Sequence, residues 1–135
     1  MKPPDAVYGI GLESSCDETA VSIVRDGREI LSNLVYSQID LHREYYGVVP
    51  EIASRAHLEA INGLIEGALK ESGISFDGLH YVAATSRPGL VGSLLVALQS
   101  AKAISYALDI PLVAVNHLEA HLYAPFLEGR GPSYP

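Results

Sequence analysis

Two histidines four positions apart are the residues of this sequence most suited to chemistry. They are His117 and His121, in the segment Asn-His-Leu-Glu-Ala-His. On a helix, side chains four residues apart lie on one face, so the two imidazole rings can share a cation. A zinc site needs three or four ligands, so the pair supplies half of one, and a chance pair on an exposed helix is the alternative. Glu119 does not follow His117 directly, so the segment is not the His-Glu-x-x-His motif of metalloproteases.

A second candidate is the polar segment Ser-Ser-Cys-Asp-Glu at residues 14–18. Small hydroxyl residues such as Ser14 and Ser15 suit a tight turn whose backbone N–H groups can hold an anion. The carboxylates of Asp17 and Glu18 can hold a cation beside a phosphate. The segment lacks the glycines and the lysine of a Walker A loop, and a solvated turn between two strands is the alternative interpretation.

The segment at residues 47–57 combines Gly-Val-Val-Pro with the charged residues Glu51 and Arg55. If a helix begins at Pro50, both side chains and also His57 can face a ligand from its first turns, where the helix dipole favours Glu51. An amphipathic helix with a solvated charged face is the alternative interpretation.

A further segment, residues 85–96, contains Gly89 and Gly92 ahead of a strongly apolar stretch. Glycine lets another backbone or a ligand approach closely. The helix that follows is apolar on more than one side, which is typical of a core helix and also of a subunit interface.

These segments need a scaffold, and the pattern of apolar residues predicts one. Strands are predicted at residues 7–13, 19–25, 29–36, 79–85 and 112–115, and helices at 50–72, 88–108 and after 116. Asp26-Gly27 predicts a two-residue hairpin turn, and residues 38–49 are predicted to form a loop. The order gives an antiparallel three-stranded meander and two parallel strands in one mixed sheet, with helices on both faces. That is the order of one lobe of the ribonuclease-H-like or actin-like ATPase architecture.

Composition indicates one soluble globular domain, with 135 residues, 48% hydrophobic and 19% charged. No apolar run approaches the roughly 20 residues of a membrane span, and the first residues do not form a signal peptide. The single cysteine, Cys16, excludes an internal disulfide, so we expect a cytoplasmic protein. The net charge of −7 disfavours a chain that binds RNA by itself, so an RNA partner would require positive surface from elsewhere.

The segments at residues 12–19, 47–55, 88–92 and 115–121 together resemble one family over essentially the whole chain. This family is the tRNA threonylcarbamoyl transferase catalytic subunit, formerly known as O-sialoglycoprotein endopeptidase or glycoprotease. The resemblance implies transfer of the threonylcarbamoyl group from threonylcarbamoyl adenylate to N6 of the adenosine 3′ of the anticodon, in tRNAs that read ANN codons.

Residue roles also follow from the resemblance. His117 and His121 would be two ligands of one iron or zinc ion per subunit, and the third ligand, a carboxylate, would lie outside this chain. Asp17 and Glu18 would be catalytic, beside the reacting centre. The residues implied to contact the substrate, with ATP or threonylcarbamoyl adenylate as the nucleotide, are Ser14, Ser15, Glu51 and Arg55.

The resemblance implies an assembly as well. Residues 1–135 would form a first lobe that is inactive alone and acts on tRNA with a paralogous actin-fold partner subunit and a small ATPase subunit. The helix at 88–108 is a candidate homodimer surface. Arg87 and Tyr46 stand where the family usually has glycine, and a bulky side chain there would narrow the substrate path or disfavour a positive φ angle.

Three other functions compete with this one. A catalytically silent scaffold of the same fold, like the paralogous partner, would typically lack the histidine pair. An actin-fold kinase would use the turn that contains Asp17 but has no role for the histidines. A metalloprotease is disfavoured by the position of Glu119.

Overall fold

The computed structural model describes residues 5–129 and 131, so the ends of the predicted 1–135 lobe lie outside the described residues. The strands are β1 (Tyr8–Glu13), β2 (Glu18–Arg25), β3 (Glu29–Ser37), β4 (Tyr81–Arg87) and β5 (Leu112–Asn116). The α-helices are α1 (Ile39–His42), α2 (Pro50–Ser72), α3 (Val91–Leu108) and α4 (His117–Tyr123). Short 3-10 helical turns cover Arg43–Tyr45, Phe76–Gly78 and Ala124–Gly129.

The five strands form one mixed sheet in the order β3-β2-β1-β4-β5. β1 pairs antiparallel with β2, and β2 pairs antiparallel with β3. β4 runs parallel to β1, and β5 runs parallel to β4. The predicted meander followed by two parallel strands is therefore confirmed.

Turn chemistry explains two of the element boundaries. Asp26 and Gly27 have φ angles of 53° and 68°, which is the left-handed conformation that a tight hairpin demands. The hairpin loop contains three residues rather than the predicted two, because Arg25 pairs with Glu29. Gly73 ends α2 with φ 73° and donates its N–H to the Lys70 carbonyl, as a left-handed C-cap does.

Some predicted boundaries were wrong, and the strand predicted at residues 79–85 lies at Tyr81–Arg87. The loop predicted at residues 38–49 contains α1 and a 3-10 turn, which ends at Tyr46 with a φ of 57° and a fully exposed side chain. α3 begins at Val91 rather than at Pro88, because the N–H of Leu90 donates to the Ser15 carbonyl at 2.8 Å. The Pro88-Gly89-Leu90 segment is therefore held against the β1–β2 turn instead of continuing the helix.

One face of the sheet carries the hydrophobic core. α2 and α3 pack side by side on this face, α2 against β2 and β3, and α3 mainly against β4. Burying these aliphatic groups stabilises the fold by roughly 25 cal/mol for each Å² of apolar surface removed from water. The buried core residues on the strands and helices are Ile10, Leu12, Val21, Ile23, Val82, Ala84, Ile61, Ile65, Ala97 and Ala101.

Several small side chains lie together on part of the opposite face of the sheet. Gly11 on β1 pairs with Ser22 on β2 and with Ala83 on β4, and Ser22 pairs with Asn33 on β3. Because side chains alternate along a strand, these residues share the face away from the core. The short helix α4 lies at one end of this face, so helices occupy both faces as predicted, although the long ones share a single face.

α3 is long and apolar enough, by length and composition alone, to cross a membrane, although the sequence was expected to contain no such segment. In this fold its Leu94, Ala97 and Ala101 pack in the core. Its other side is open, with Val91 74% and Tyr106 92% exposed. The apolar residues of α3 therefore form part of the core on one side, while Val91, Leu95 and Tyr106 are exposed on the other side beside Gln99 and Lys102.

We expect Gly89→Ala to lower the free energy of unfolding by about 1–3 kcal/mol, as overpacking typically does. A Cβ at Gly89 would lie 2.6 Å from the Ser15 carbonyl oxygen, which is backbone and cannot move aside cheaply. Gly63→Ala is the matched control, since a Cβ there meets nothing within 4 Å. Alanine in that helix interior is expected to stabilise the protein by about 0.5–1 kcal/mol. Chemical denaturation measures both, and equal effects would contradict the close approach at Gly89.

Candidate functional site

A cavity of about 700 Å³ lies over the small-residue face of the sheet. We call it the main cavity. Its floor includes Gly11, Ser22, Asn33 and Ala83, whose short side chains leave the space open. Around this floor the structure brings together five of the eight predicted site residues, which are Ser15, Asp17, Glu18, His117 and His121.

The β1–β2 turn, residues 14–17, is fixed by hydrogen bonds to its backbone carbonyl groups. The carbonyl oxygens of Ser15, Cys16 and Asp17 accept hydrogen bonds from Leu90 N–H at 2.8 Å, His57 Nε2 at 2.9 Å and Gln38 N–H at 2.9 Å. In a trans peptide the C=O and N–H bonds point in opposite directions. The N–H groups of Cys16 and Asp17 therefore point away from these partners, toward the side on which the main cavity lies.

Those two N–H groups suit an anion. Neither has a hydrogen-bond partner among the residues that the structure describes. Successive backbone N–H groups that point the same way make an anion-binding concavity. Asp17 is half-buried and Glu18 is exposed at the start of β2, so carboxylates flank this concavity.

Ser14 does not line the main cavity. Its side chain is fully buried, and its hydroxyl donates to the Ser93 carbonyl at 2.6 Å and accepts from the Ala97 N–H at 3.0 Å. The hydroxyl thus bonds two backbone groups one turn apart in α3. Ser14 fixes the position of the turn on α3, and its neighbour Ser15 faces the cavity instead, with its hydroxyl 3.2 Å from His117 Nδ1.

The two histidines meet at the first turn of α4. Asn116 caps this helix by accepting from the N–H groups of Leu118 and Glu119 at 2.9 and 3.3 Å. The Nε2 atoms of His117 and His121 are 3.0 Å apart, and the rings are 83° from coplanar. Nitrogen ligands about 2.0–2.1 Å from one ion are separated by roughly 2.9–3.4 Å, so the pair fits a shared metal.

Glu13 fixes the orientation of His117. Its Oε2 lies 3.2 Å from His117 Nδ1 and accepts from the Thr85 hydroxyl at 2.6 Å, and its Oε1 accepts from the Ser15 N–H. Burial raises the pKa of Glu13, but the hydrogen bonds from Ser15, Thr85 and His117 outweigh it and hold the pKa below its usual value. An ionised carboxylate only accepts, so His117 carries its proton on Nδ1 and presents the Nε2 lone pair toward His121.

Sequence reasoning missed Glu13. The signal for it was the alternation of side chains along β1, which places Gly11 and Glu13 on the face opposite Ile10 and Leu12. Once Ile10 and Leu12 are assigned to the core, the carboxylate of Glu13 must lie on the other face, beside the polar turn.

The histidine pair supplies only part of a metal centre. Across residues 5–129 and 131, no group of three or more His, Cys, Asp or Glu side chains is arranged to hold a metal ion. Cys16, next to the site, is an unpaired cysteine whose thiol pKa is raised by burial and by the carboxylates of Asp17 and Glu13. A thiol with a raised pKa is a poor ligand and a poor nucleophile at neutral pH.

Glu51 and Arg55 lie apart from the main cavity. They line a separate pocket of about 330 Å³ on the outer side of the first turns of α2, together with Leu41 and Glu59. His57, which was expected beside them, is fully buried and turned to the Cys16 carbonyl instead. The structure thus does not bring Glu51, Arg55 and His57 together.

Known proteins of similar sequence identify the family of this chain. The sequence profile of the family described as TsaD, tRNA N6-adenosine threonylcarbamoyltransferase, matches residues 29–135. The protein of that name from Syntrophomonas wolfei is 56% identical over 93% of this chain and 37% of its own length. Its namesake from Caldicellulosiruptor saccharolyticus is 60% identical over 87% of this chain and 35% of its own length. The chain thus spans little more than a third of these relatives.

Solved structures share the fold at low identity. YeaZ from Pseudomonas aeruginosa superposes with a TM-score of 0.66 at 19% identity, over 89% of this chain and 48% of its own. RuvC from T. thermophilus, solved in complex with a Holliday junction substrate, superposes with a TM-score of 0.52 at 11% identity, over 86% of this chain and 68% of its own. The predicted ribonuclease-H-like, actin-like ATPase architecture is therefore confirmed. With the profile match and the relatives' identity, this chain belongs to the tRNA N6-adenosine threonylcarbamoyltransferase family.

Proposed function

We propose that the protein transfers the threonylcarbamoyl group from threonylcarbamoyl adenylate to N6 of the adenosine 3′ of the anticodon, in tRNAs that read ANN codons. One observation carries this proposal: in a chain of this family, the β1–β2 turn and the histidine pair face the same cavity. The chain spans little more than a third of its relatives, so their whole activity is a proposal for this protein.

The reaction is an acyl transfer. The N6 amine of adenosine attacks the carbamoyl carbon, the bond from that carbon to the phosphate oxygen breaks, and AMP leaves with the electron pair. The amine loses one proton, and the carboxylate of Asp17 or Glu18, both of which line the cavity, would accept it. The N–H groups of Cys16 and Asp17 would bind the phosphate and stabilise the negative charge on the departing AMP.

His117 and His121 would hold the metal, iron or zinc, and Glu13 would keep His117 in the tautomer that binds it. When bound, the ion supplies a Lewis acid or a template that orients the adenylate. Glu13 belongs to this arrangement because it contacts both His117 and the Ser15 N–H, and so joins the histidines to the turn.

Partners are part of the proposal. With a net charge of −7, the chain offers little attraction for the phosphates of tRNA. A paralogous actin-fold subunit and a small ATPase subunit would complete the assembly and supply positive surface, in the cytoplasm. The exposed residues Val91, Leu95 and Tyr106 of α3 would contribute to a subunit contact.

Replacing both His117 and His121 by alanine is expected to abolish the modification. In cells depleted of the chromosomal gene, mass spectrometry of digested tRNA should show the nucleoside restored by the wild-type gene and not by the double variant. His80→Ala is the matched control, because His80 is exposed and its side chain, among the residues that the structure describes, accepts one hydrogen bond, from the Tyr8 N–H to Nδ1 at 3.0 Å. Full restoration by the double variant would rule out a catalytic role for the pair.

Glu13→Gln is expected to weaken metal binding by about 10- to 100-fold, as loss of a partner behind a metal-bound histidine typically does. The change keeps the size of the side chain but weakens the hydrogen bond that orients His117. Glu119→Gln is the control, because it also removes one carboxylate charge near the histidines but not the hydrogen bond to His117 Nδ1. Competition with a zinc-binding dye measures the affinity. If the two variants bind zinc equally well, Glu13 does not position His117.

A further inference from the structure

Four buried polar side chains lie behind the β1–β2 turn, outside the main cavity. Thr19, Gln38 and His57 are 0% exposed, and His42 is 5% exposed. Burying polar groups is unfavourable unless each is hydrogen-bonded. Each of these four finds partners among the others and in the neighbouring backbone, so they form one connected network.

The chemistry of the partners fixes the proton positions in this network. The Cys16 carbonyl can only accept, so His57 donates from Nε2. The Gln38 amide nitrogen can only donate, so the Nδ1 that it contacts is an acceptor. The Thr19 hydroxyl, 2.7 Å away, and the Gln38 side-chain amide, 3.3 Å away, donate to that Nδ1. His57 is therefore neutral, in agreement with burial, which lowers its pKa.

Gln38 extends the network to the start of α2. Its side-chain oxygen accepts from His42 Nε2 at 2.8 Å, and His42 Nδ1 accepts from the Val49 N–H at 3.2 Å. Its backbone N–H donates to the Asp17 carbonyl at 2.9 Å. A continuous chain of hydrogen bonds thus runs from the cavity turn to the residue that precedes α2.

Position makes His57 the critical member of the network. Its ring is the partner of the Cys16 carbonyl, and that carbonyl belongs to the same peptide as the Asp17 N–H. While the carbonyl is held inward, the N–H faces the cavity. If the donor is lost, the buried carbonyl is unsatisfied, and rotation of the peptide would turn the oxygen toward the cavity and the N–H away from it.

We propose that His57 is a positioning residue, which acts through the Cys16 carbonyl to aim the Asp17 N–H at a bound phosphate ester. Gln38 and His42 hold His57 in place and link its position to the beginning of α2. The inference rests on the proposed function only for the identity of the anion, because the proposed substrate supplies the phosphate of an adenylate.

Two substitutions of His57 separate this role from simple packing. In His57→Gln the terminal amide nitrogen can occupy the place of Nε2 and donate to the Cys16 carbonyl. In His57→Asn the side chain ends near the position of Nδ1, which retains the contact with Thr19 but cannot reach Cys16. Both variants lose the ring, so a packing defect would affect them alike.

Isothermal titration of the complete polypeptide with ATP tests the proposal. We expect His57→Asn to weaken ATP binding by about 10-fold or more and His57→Gln to stay within about 3-fold of the wild type. His80→Asn, at an exposed histidine remote from the turn, is expected to bind ATP as the wild type does. Zinc affinity should be unchanged in all three variants, because the histidine pair of α4 does not contact His57.

Equal losses in the Asn and Gln variants, no loss in either, or no ATP binding by the wild type would each overturn the proposal. If His57→Asn does not fold, Thr19→Val replaces it, since it removes one donor to Nδ1 with little change in volume. It should weaken ATP binding while zinc binding is kept, and unchanged ATP affinity would overturn the proposal. ATP binding that depends on His57, in a protein that makes no modified nucleoside, would uphold this inference and refute the proposed function.

Discussion

The carbonyl groups of Ser15, Cys16 and Asp17 must all find hydrogen-bond donors, and each finds one in a different part of the fold. The donors are Leu90 before α3, His57 in α2 and Gln38 between β3 and α1. A buried carbonyl without a partner costs about 1–3 kcal/mol, so these contacts hold the three elements to one arrangement. The same contacts direct the N–H groups of Cys16 and Asp17 toward the cavity. The hydrogen bonds that hold the elements together therefore also set the geometry of the site.

One face of the sheet carries the hydrophobic core, and the other carries the main cavity. Large aliphatic residues on one face anchor α2 and α3, while Gly11, Ser22 and Ala83 keep the other face open. Glu13 stands at the end of β1 on the open face, where it joins the turn to the histidines of α4. The packed core on one side therefore supports the polar site on the other. Side chains on rigid elements are positioned more precisely than side chains on loops.

Much of this could be predicted from the sequence. Apolar periodicity placed all five strands, and Pro50 and Gly73 bounded α2, because those signals are local. The start of α3 was misplaced because Leu90 bonds to Ser15, a contact between residues far apart in sequence. The role of His57 was missed for the same reason, since its partners lie on other elements. Ser14 and Ser15 were given the same role, although the alternation that places Leu12 in the core and Glu13 at the cavity, continued past β1, turns Ser14 inward and Ser15 toward the cavity.

The central claim is that the residues around the main cavity carry out transfer to tRNA. Its most direct test is the reaction itself, with the complete polypeptide, its partner proteins, threonylcarbamoyl adenylate and tRNA that reads an ANN codon. We expect one AMP to be released for each N6-threonylcarbamoyladenosine formed 3′ of the anticodon, and we expect Asp17→Asn with Glu18→Gln to slow both together. Release of AMP without modified tRNA, or full activity in that variant, would contradict the claim.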